Sequence, residues 1–229
     1  MTEQRLRLDQ VGFDEGTATD GRGVVVDMAL EAGELLLVEL KSEDKGPPLA
    51  DLAAGLVAPV RGDVWFAGVS WSQRGAEDHA RARSRIGRVF EGQGWVSNLD
   101  LDENITLAQR HHTARDPAEI QAEAEAWARR LGLAGLPVTR PAWTPPRERS
   151  IGQWIRALLG EPLLLLLERP TRDVTREDVS ALMDAVQERR AAGVAVMWLT
   201  SDERVLGQRA LLDPLQHVVI HERRWERMQ

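Results

Sequence analysis

Residues 162–171 read Pro-Leu-Leu-Leu-Leu-Leu-Glu-Arg-Pro-Thr, and this stretch decides the fold. Its five consecutive leucines form an uninterrupted apolar run, which is typical of a strand buried on both faces of a parallel sheet. The run ends in Glu168 and Arg169, and the proline that follows indicates a turn. The stretch therefore predicts a central parallel strand whose carboxyl end carries an acid beside a cation.

Composition limits the classes of protein to which the chain can belong. With 229 residues, 43% of them hydrophobic and 28% charged, it can bury the core of one globular domain. A formal net charge of -7 argues against a nucleic-acid partner, and the absence of cysteine excludes disulfides and thiolate metal sites. No apolar stretch approaches the ~20 residues that a membrane-spanning helix needs. We therefore expect membrane contact only through a partner.

Patterns of strand and helix alternate along the chain, which predicts an α/β fold. The predicted strands are 4–13, 24–30, 35–40, 64–66, 86–90, 163–167, 194–200 and 218–220. The predicted helices are 47–56, 102–110, 117–131, one that begins at Ser150, and 176–192. The proline-rich stretch 136–147 is the predicted connector.

Several short motifs occur in an order that resembles the ATP-binding cassette (ABC) family. They are Ala54-Gly55-Leu56, Arg61-Gly62-Asp63-Val64 with Gly68, Ile86-Gly87-Arg88-Val89-Phe90-Glu91, Asn98-Leu99, Glu103-Asn104-Ile105, Ser150-Ile151-Gly152-Gln153 and the leucine strand. The resemblance implies an ABC-ATPase-like P-loop NTPase fold, with a RecA-like core, an N-terminal antiparallel β subdomain and an inserted helical subdomain. We predict one domain over 1–229, with the core in 1–90 and 151–229 and the helical subdomain in approximately 91–150.

The resemblance also shows departures at the positions of the family's catalytic residues. In the family the turn after the acidic strand reads Leu-Leu-Asp-Glu-Pro-Thr, where the Asp serves Mg²⁺ and the Glu polarises the attacking water. Here Glu168 stands at the Asp position and Arg169 at the catalytic Glu position. Glu91 stands at the position of the loop Gln, and Ser201 at that of the switch His. These departures predict that the chain contains no catalytic residue.

The segment at the position of the phosphate loop departs as well. Such a loop needs glycines whose backbone N–H groups surround the phosphates, a Lys for their charge and a hydroxyl for Mg²⁺. Here Gly46 stands at the Lys position, Pro47 and Pro48 stand at the hydroxyl positions, and Lys45 is one residue early. Because proline has no N–H to donate, we predict a pseudo-ATPase that binds neither nucleotide nor metal in its own site.

The signature-like segment departs less from the family. Ser150, Gly152 and Gln153 keep three of the five residues of Leu-Ser-Gly-Gly-Gln. In the family this helix N-terminus reaches the γ-phosphate bound by the other subunit of a dimer, which implies that the chain completes a partner's site in trans. ATP and Mg²⁺ would then be bound only through the partner. In the alternative interpretation Ser150 is only the N-cap of a core helix.

The resemblance implies two partners, an active ABC ATPase subunit in a heterodimer and a transmembrane permease. Trp95, Asn98 and Leu99 lie in the region that abuts the permease in the family, and Trp95 is either an interface anchor or part of the loop packing. The expected location is cytoplasmic, peripheral on the cytoplasmic face of the membrane.

Two other functions remain open. The first is a divergent but active ATPase that uses Lys41 or Lys45 together with Glu168. The second is a stand-alone regulatory or scaffold protein with this fold. In the pseudo-ATPase interpretation, Arg169 is predicted to pair with a carboxylate such as Glu43, Asp44 or Glu168 and to fill the space of the nucleotide.

Overall fold

A computed structural model describes residues 3–12, 25–41, 48–221 and 224–228 of the chain. The strands are β1 (Gln4–Gly12), β2 (Val25–Glu31), β3 (Leu35–Leu40), β4 (Arg61–Phe66), β5 (Val69–Ser70), β6 (Ile86–Val89), β7 (Leu164–Glu168), β8 (Ala195–Thr200), β9 (Gln216–His221) and β10 (Arg224–Met228). The helices are α1 (Leu49–Ala53), α2 (Ala76–Arg83), α3 (Leu101–His112), α4 (Pro117–Arg130), α5 (Pro146–Leu158), α6 (Arg176–Ala191), α7 (Glu203–Leu206) and α8 (Arg209–Leu212), and a 3-10 turn covers Trp71–Gln73.

The described strands form two sheets. The first is antiparallel, with four strands in the order β2-β1-β4-β5. The second has six strands in the order β10-β9-β3-β8-β7-β6, in which every neighbouring pair is parallel except β10 with β9. This arrangement is the α/β fold, with an antiparallel β subdomain beside a mainly parallel sheet, that the sequence predicts. The carboxyl ends of the parallel strands meet at one edge of the sheet, where ligands bind in open α/β folds.

The leucine strand β7 lies between β6 and β8, as its composition predicts. Leu165 and Leu167 pack into a core shared with the helices of residues 101–158. Leu164 and Leu166 pack into a second core that lies against the antiparallel sheet. Both faces of β7 are therefore buried, and the prediction is confirmed. The boundaries proposed for the helical subdomain, 91–150, stay a prediction.

The structure differs from the predicted elements in two ways: a predicted helix begins at another residue, and some elements, such as α2, were not predicted. Helix α5 begins at Pro146, one turn before Ser150, because proline is favoured in the first turn of a helix and Pro145 precedes it in an extended conformation. The prediction that Ser150 begins this helix is wrong. Helix α2 (Ala76–Arg83) is the second difference, since its weakly apolar sequence gives no periodic signal and only Ala82 is buried.

Candidate functional site

A cavity of about 600 Å³ lies at the carboxyl edge of the parallel sheet. Four strands, β3, β6, β7 and β8, end beside it, so it occupies the edge that the fold uses for ligands. Its lining residues are Leu40, Pro48, Asp51, Arg88, Phe90, Glu91, Gly92, Gly94, Glu168, Arg169, Arg172 and Leu199. Four predicted site residues, Pro48, Glu91, Glu168 and Arg169, therefore share one cavity.

Arg88 is the charged residue most enclosed in this cavity, since its side chain is only 9% exposed. Its Nε donates to Glu168 Oε1 at 2.7 Å, and its Nη2 donates to Asp51 Oδ1 at 2.7 Å. The guanidinium also lies over the ring of Phe90, 4.6 Å from the ring centre. The guanidinium of Arg88, on β6, therefore links this strand to β7 through Glu168 and to α1 through Asp51. Arg88 was not selected as a site residue from the sequence, because its two partners are distant in the sequence.

The charge of Glu168 depends on two opposing effects. Burial raises the pKa of its carboxyl, and the hydrogen bond from Arg88 opposes that rise. Nearby Asp51 and Glu91 raise the pKa further because their charges are of the same sign. Burial alone would lower the pKa of Arg88, but its bonds to Glu168 and Asp51 raise it, so the guanidinium stays charged. On balance the pKa of Glu168 is raised, chiefly by burial, and its side chain accepts a hydrogen bond from an internal cation.

Arg169 connects two other positions at which the sequence departs from the family pattern. Its Nε lies 3.3 Å from Glu91 Oε1, and its Nη1 donates to Ser201 Oγ at 2.8 Å. Its side chain is 12% exposed, and its φ of 43° is in the left-handed region. The prediction that Arg169 pairs with a carboxylate is confirmed, with Glu91 as the described partner in place of Glu168. Glu91, Arg169 and Ser201, which the resemblance assigns to the loop Gln, catalytic Glu and switch His positions, therefore form one network.

The phosphate-loop positions are described only in part. Lys45, Gly46 and Pro47 lie outside the described residues, as do the possible Arg169 partners Glu43 and Asp44. Pro48 precedes α1 and lines the cavity without a side-chain cap on that helix. Lys41 forms an ion pair with Glu39, and Glu168 is bonded to Arg88. The two described residues of the divergent-ATPase alternative are thus both paired inside the chain.

The signature-like residues lie inside the protein. Ser150 is 3% exposed, and a Cβ added to Gly152 would lie 3.1 Å from Leu101 of α3. Gln153 Oε1 accepts a hydrogen bond from the backbone N–H of Phe90 at 3.0 Å. The alternative in which Ser150 is an N-cap is wrong, since α5 begins a turn earlier. The role of Ser150, Gly152 and Gln153 in trans stays a prediction, because no second subunit is present.

One turn of α5 also holds the segment that follows β6. Arg156 donates through Nη2 to Gln93 O at 2.9 Å and through Nη1 to Gly94 O at 3.0 Å. Its guanidinium lies 4.3 Å from the centre of the Trp95 ring, and burial lowers the pKa of Arg156 to about 10. Together with the Gln153 bond to Phe90, these contacts make α5 and residues 90–95 one packed unit.

The predicted permease contacts differ in exposure. Trp95 is partly buried against the helical core and under Arg156, which favours the loop-packing interpretation of this residue. Asn98 is exposed, and Leu99 is partly exposed while its carbonyl accepts a hydrogen bond from Asn104. Val96 is also exposed, although the sequence reasoning did not single it out. Whether these residues contact a permease stays a prediction.

The pair formed by Arg147 and Asp178 links the start of α5 to α6 and makes stability depend on pH. Arg147 donates to both Asp178 oxygens, through Nη2 at 2.5 Å and Nε at 2.8 Å. Burial alone would raise the pKa of Asp178, but Arg147 and Thr175 lower it. A lowered folded-state pKa means that the stabilisation is complete above the unfolded value and is lost as the pH falls through the folded one.

Asp178→Asn is therefore expected to lower the free energy of unfolding by about 2 kcal/mol at neutral pH, since a charge-assisted pair is lost. The loss should shrink as the pH falls below the ordinary Asp pKa of about 3.9 and through the lowered folded-state pKa, because the wild-type carboxylate then becomes protonated. Urea unfolding across this range measures the effect. Asp184→Asn, at an exposed position of the same helix, is the matched control. An equal loss at every pH would show that the charge of Asp178 is not the cause.

Comparison with curated proteins identifies several relatives. The chain is 28% identical over 186 residues to the ribose import ATP-binding protein RbsA of Rhodopirellula baltica, covering 76% of this chain and 34% of that protein. It is 27% identical to the glutamate/aspartate import ATP-binding protein GltL of Escherichia coli, covering 78% of this chain and 75% of that protein. It is 24% identical to the lipoprotein-releasing system ATP-binding protein LolD of Idiomarina loihiensis, covering 97% of this chain and 99% of that protein. No family model matches the sequence.

Solved structures with the same fold are ABC cassettes. An ATP-binding subunit of an ABC transporter aligns with a TM-score of 0.80 at 18% identity, covering 98% of this chain and 90% of the other. The dimeric bacterial ABC transporter cassette MJ0796 aligns with a TM-score of 0.82 at 16% identity, covering 97% of both chains. At these identities the alignments establish the fold. None of the described helices is long and apolar enough to cross a membrane.

The prediction that the chain is not an enzyme is contradicted by these comparisons. The relatives are named as ATP-binding proteins, and MJ0796 has also been solved in a post-hydrolysis state with ADP and Pi. A changed motif residue is not by itself evidence that a reaction is lost. The chain has the ABC ATPase fold and is related in sequence to the ATP-binding subunits of ABC transporters.

Proposed function

We propose that this chain is the ATP-binding-cassette subunit of a membrane transporter and acts on the cytoplasmic face of the membrane. In this proposal it pairs with a second cassette subunit and couples that pair to a transmembrane permease. The observation that carries the proposal is the attachment of residues 90–95 to α5 by Gln153 and Arg156. The relatives named as import and lipoprotein-releasing ATP-binding proteins support a role in transport.

The segment that follows Trp95 has the properties of a docking surface. Asn104 is 2% exposed, and its amide bonds to the backbone of Val96, Leu99 and Asp100 at 2.8 to 3.1 Å. Val96 and Asn98 are exposed on this fixed backbone. A surface whose backbone is already ordered loses little conformational entropy on binding. Residues 96–99 are therefore proposed to contact the permease, and α5 to transmit the movement of the cassette pair to them.

The second cassette is proposed to be an ATP-hydrolysing subunit, so that a heterodimer forms. ATP and Mg²⁺ bound to that partner would be the cofactors of the assembly. Support comes from the cavity of this chain, where Arg169 is engaged by Glu91 and Ser201, and Glu168 by Arg88. Thermal unfolding of the isolated chain with and without millimolar Mg-ATP tests this assignment, because a ligand that binds the folded state raises its stability. No shift is expected for the isolated chain, and a shift would place nucleotide in its own cavity.

Purification of the tagged chain from its native membrane in mild detergent tests the transport proposal. A permease with several membrane-spanning helices and a second cassette subunit are expected to co-purify with it. The complex should hydrolyse ATP. Recovery of the chain alone, with neither partner, would exclude the transporter assignment and would support the stand-alone scaffold alternative.

A further inference from the structure

We infer that Arg88 occupies the cation position of this site, so that its acidic residues do not bind a divalent metal. The inference rests on the proposed function because it concerns the cavity of an ATP-binding cassette. The fold family implies Mg²⁺ at the position of Glu168. The contacts and burial of Arg88, Asp51 and Glu168 do not fit that ion.

One oxygen atom of each of the two carboxylates is already bonded to Arg88 and does not suit Mg²⁺. This ion requires nearly octahedral oxygen ligands at about 2.0–2.1 Å and binds through carboxylates and phosphates. Glu168 Oε1 and Asp51 Oδ1 both accept hydrogen bonds from Arg88, each at 2.7 Å. Carboxylate oxygens that point at a guanidinium at this distance are already neutralised by it. The metal would have to displace Arg88 in order to reach them.

Displacement of Arg88 is opposed by its surroundings. The side chain is 9% exposed and stacks on Phe90, 4.6 Å from the ring centre. Its Nη1 is buried and has no hydrogen-bond partner among the described residues, so the guanidinium is enclosed by protein. A planar guanidinium that bonds two carboxylates and stacks on an aromatic ring is the arrangement that arginine favours. The cation is therefore built into the site.

The charges of the triad agree with this assignment. Arg88 donates to one oxygen of Asp51 and to one oxygen of Glu168, so one cation bridges two acidic side chains, as a metal would. A divalent cation placed beside Arg88 would be repelled by it over a few ångströms, in a site partly shielded from water. Loss of the guanidinium would leave two neighbouring carboxylates without a counter-ion. That arrangement is the one that attracts a divalent metal.

The inference is tested by titrating the full chain with Mn²⁺ alone and measuring the free ion by electron paramagnetic resonance. The wild-type protein is expected to leave Mn²⁺ free into the millimolar range. Arg88→Met should bind Mn²⁺ at least about tenfold more tightly, because two carboxylates are released. Arg88→Met/Glu168→Gln should lose this gain. Circular dichroism and thermal unfolding show whether each variant is folded.

Two results would overturn the inference. One is tight Mn²⁺ binding by the wild-type chain that is lost in Glu168→Gln. The other is a folded Arg88→Met whose Mn²⁺ affinity equals that of the wild type. If Arg88→Met does not fold, the titrations of the wild type and of Glu168→Gln still test the inference. Weak Mn²⁺ binding by both proteins supports it. The titration contains neither nucleotide nor permease. A result that overturns this inference therefore does not bear on the transport proposal, which the co-purification experiment tests separately.

Discussion

Gly87→Ala is expected to destabilise the protein by about 4 kcal/mol, near the upper end of the range for single substitutions. A Cβ at Gly87 would lie 1.9 Å from the carbonyl oxygen of Ala157 in α5 and 2.7 Å from Leu165 Cδ2 in β7. Overpacking usually costs about 1–3 kcal/mol, and more when the obstructing atom cannot move away. Here the nearest atom belongs to the backbone of α5, so the helix itself must shift.

Chemical denaturation measures the loss, and Gly92→Ala is the matched control. A Cβ at Gly92 meets nothing within 4 Å, so its stability should stay within about 0.5 kcal/mol of the wild type. Gly87→Ala should also weaken the attachment of residues 90–95 to α5, since Gln153 and Arg156 lie on the displaced helix. A Gly87→Ala protein as stable as the Gly92→Ala control would mean that α5 does not cross β6 at this residue.

Asn104→Ala is expected to abolish permease coupling and to destabilise the protein by about 2–3 kcal/mol. The substitution removes four side-chain hydrogen bonds. The carbonyls of Val96 and Asp100 keep backbone donors, but the N–H of Val96 and the carbonyl of Leu99 lose the partner that Asn104 provides. Buried backbone groups left unsatisfied cost about 1–3 kcal/mol each, unless the segment opens to water. Opening is the expected response, and it disorders the proposed docking surface.

Asn98→Ala separates coupling from stability. Asn98 is exposed, so its substitution should leave the free energy of unfolding within about 0.5 kcal/mol of the wild type. It should still reduce recovery of the permease, because Asn98 belongs to the proposed contact. Hydrogen exchange at residues 96–100 and co-purification are the two measurements. Full recovery of the permease by Asn104→Ala would exclude this segment as the docking surface.

Much of the fold could be predicted because its signals are local. The leucine run of β7 reflects burial on both faces, and the alternation of apolar and polar residues in β1 reflects burial on one face. Both strands are present within a few residues of the predicted bounds. The residues at which helices begin and end were harder to predict. The start of α5 shifted by a turn because Pro146 is favoured in the first turn and outweighs the hydroxyl of Ser150 as a signal.

The candidate site could be predicted in position but not in its pairings. Glu91, Glu168 and Arg169 were selected from the sequence, and they do share one cavity. Arg88 was missed because its partners, Asp51 and Glu168, lie 37 and 80 residues away in the sequence. Contacts over such separations depend on how strands are ordered in the sheet, which no short motif encodes.

The sequence by itself determined the α/β layout, the doubly buried strand β7 and the charged turn at its end. It did so because burial, turn formation and proline effects act on neighbouring residues. Only the tertiary structure decided that Arg169 pairs with Glu91 and Ser201, and that Arg88 bridges Glu168 and Asp51. The reason is physical: a charge pair forms where parallel strands bring their carboxyl ends together, and that meeting place exists only in the folded sheet.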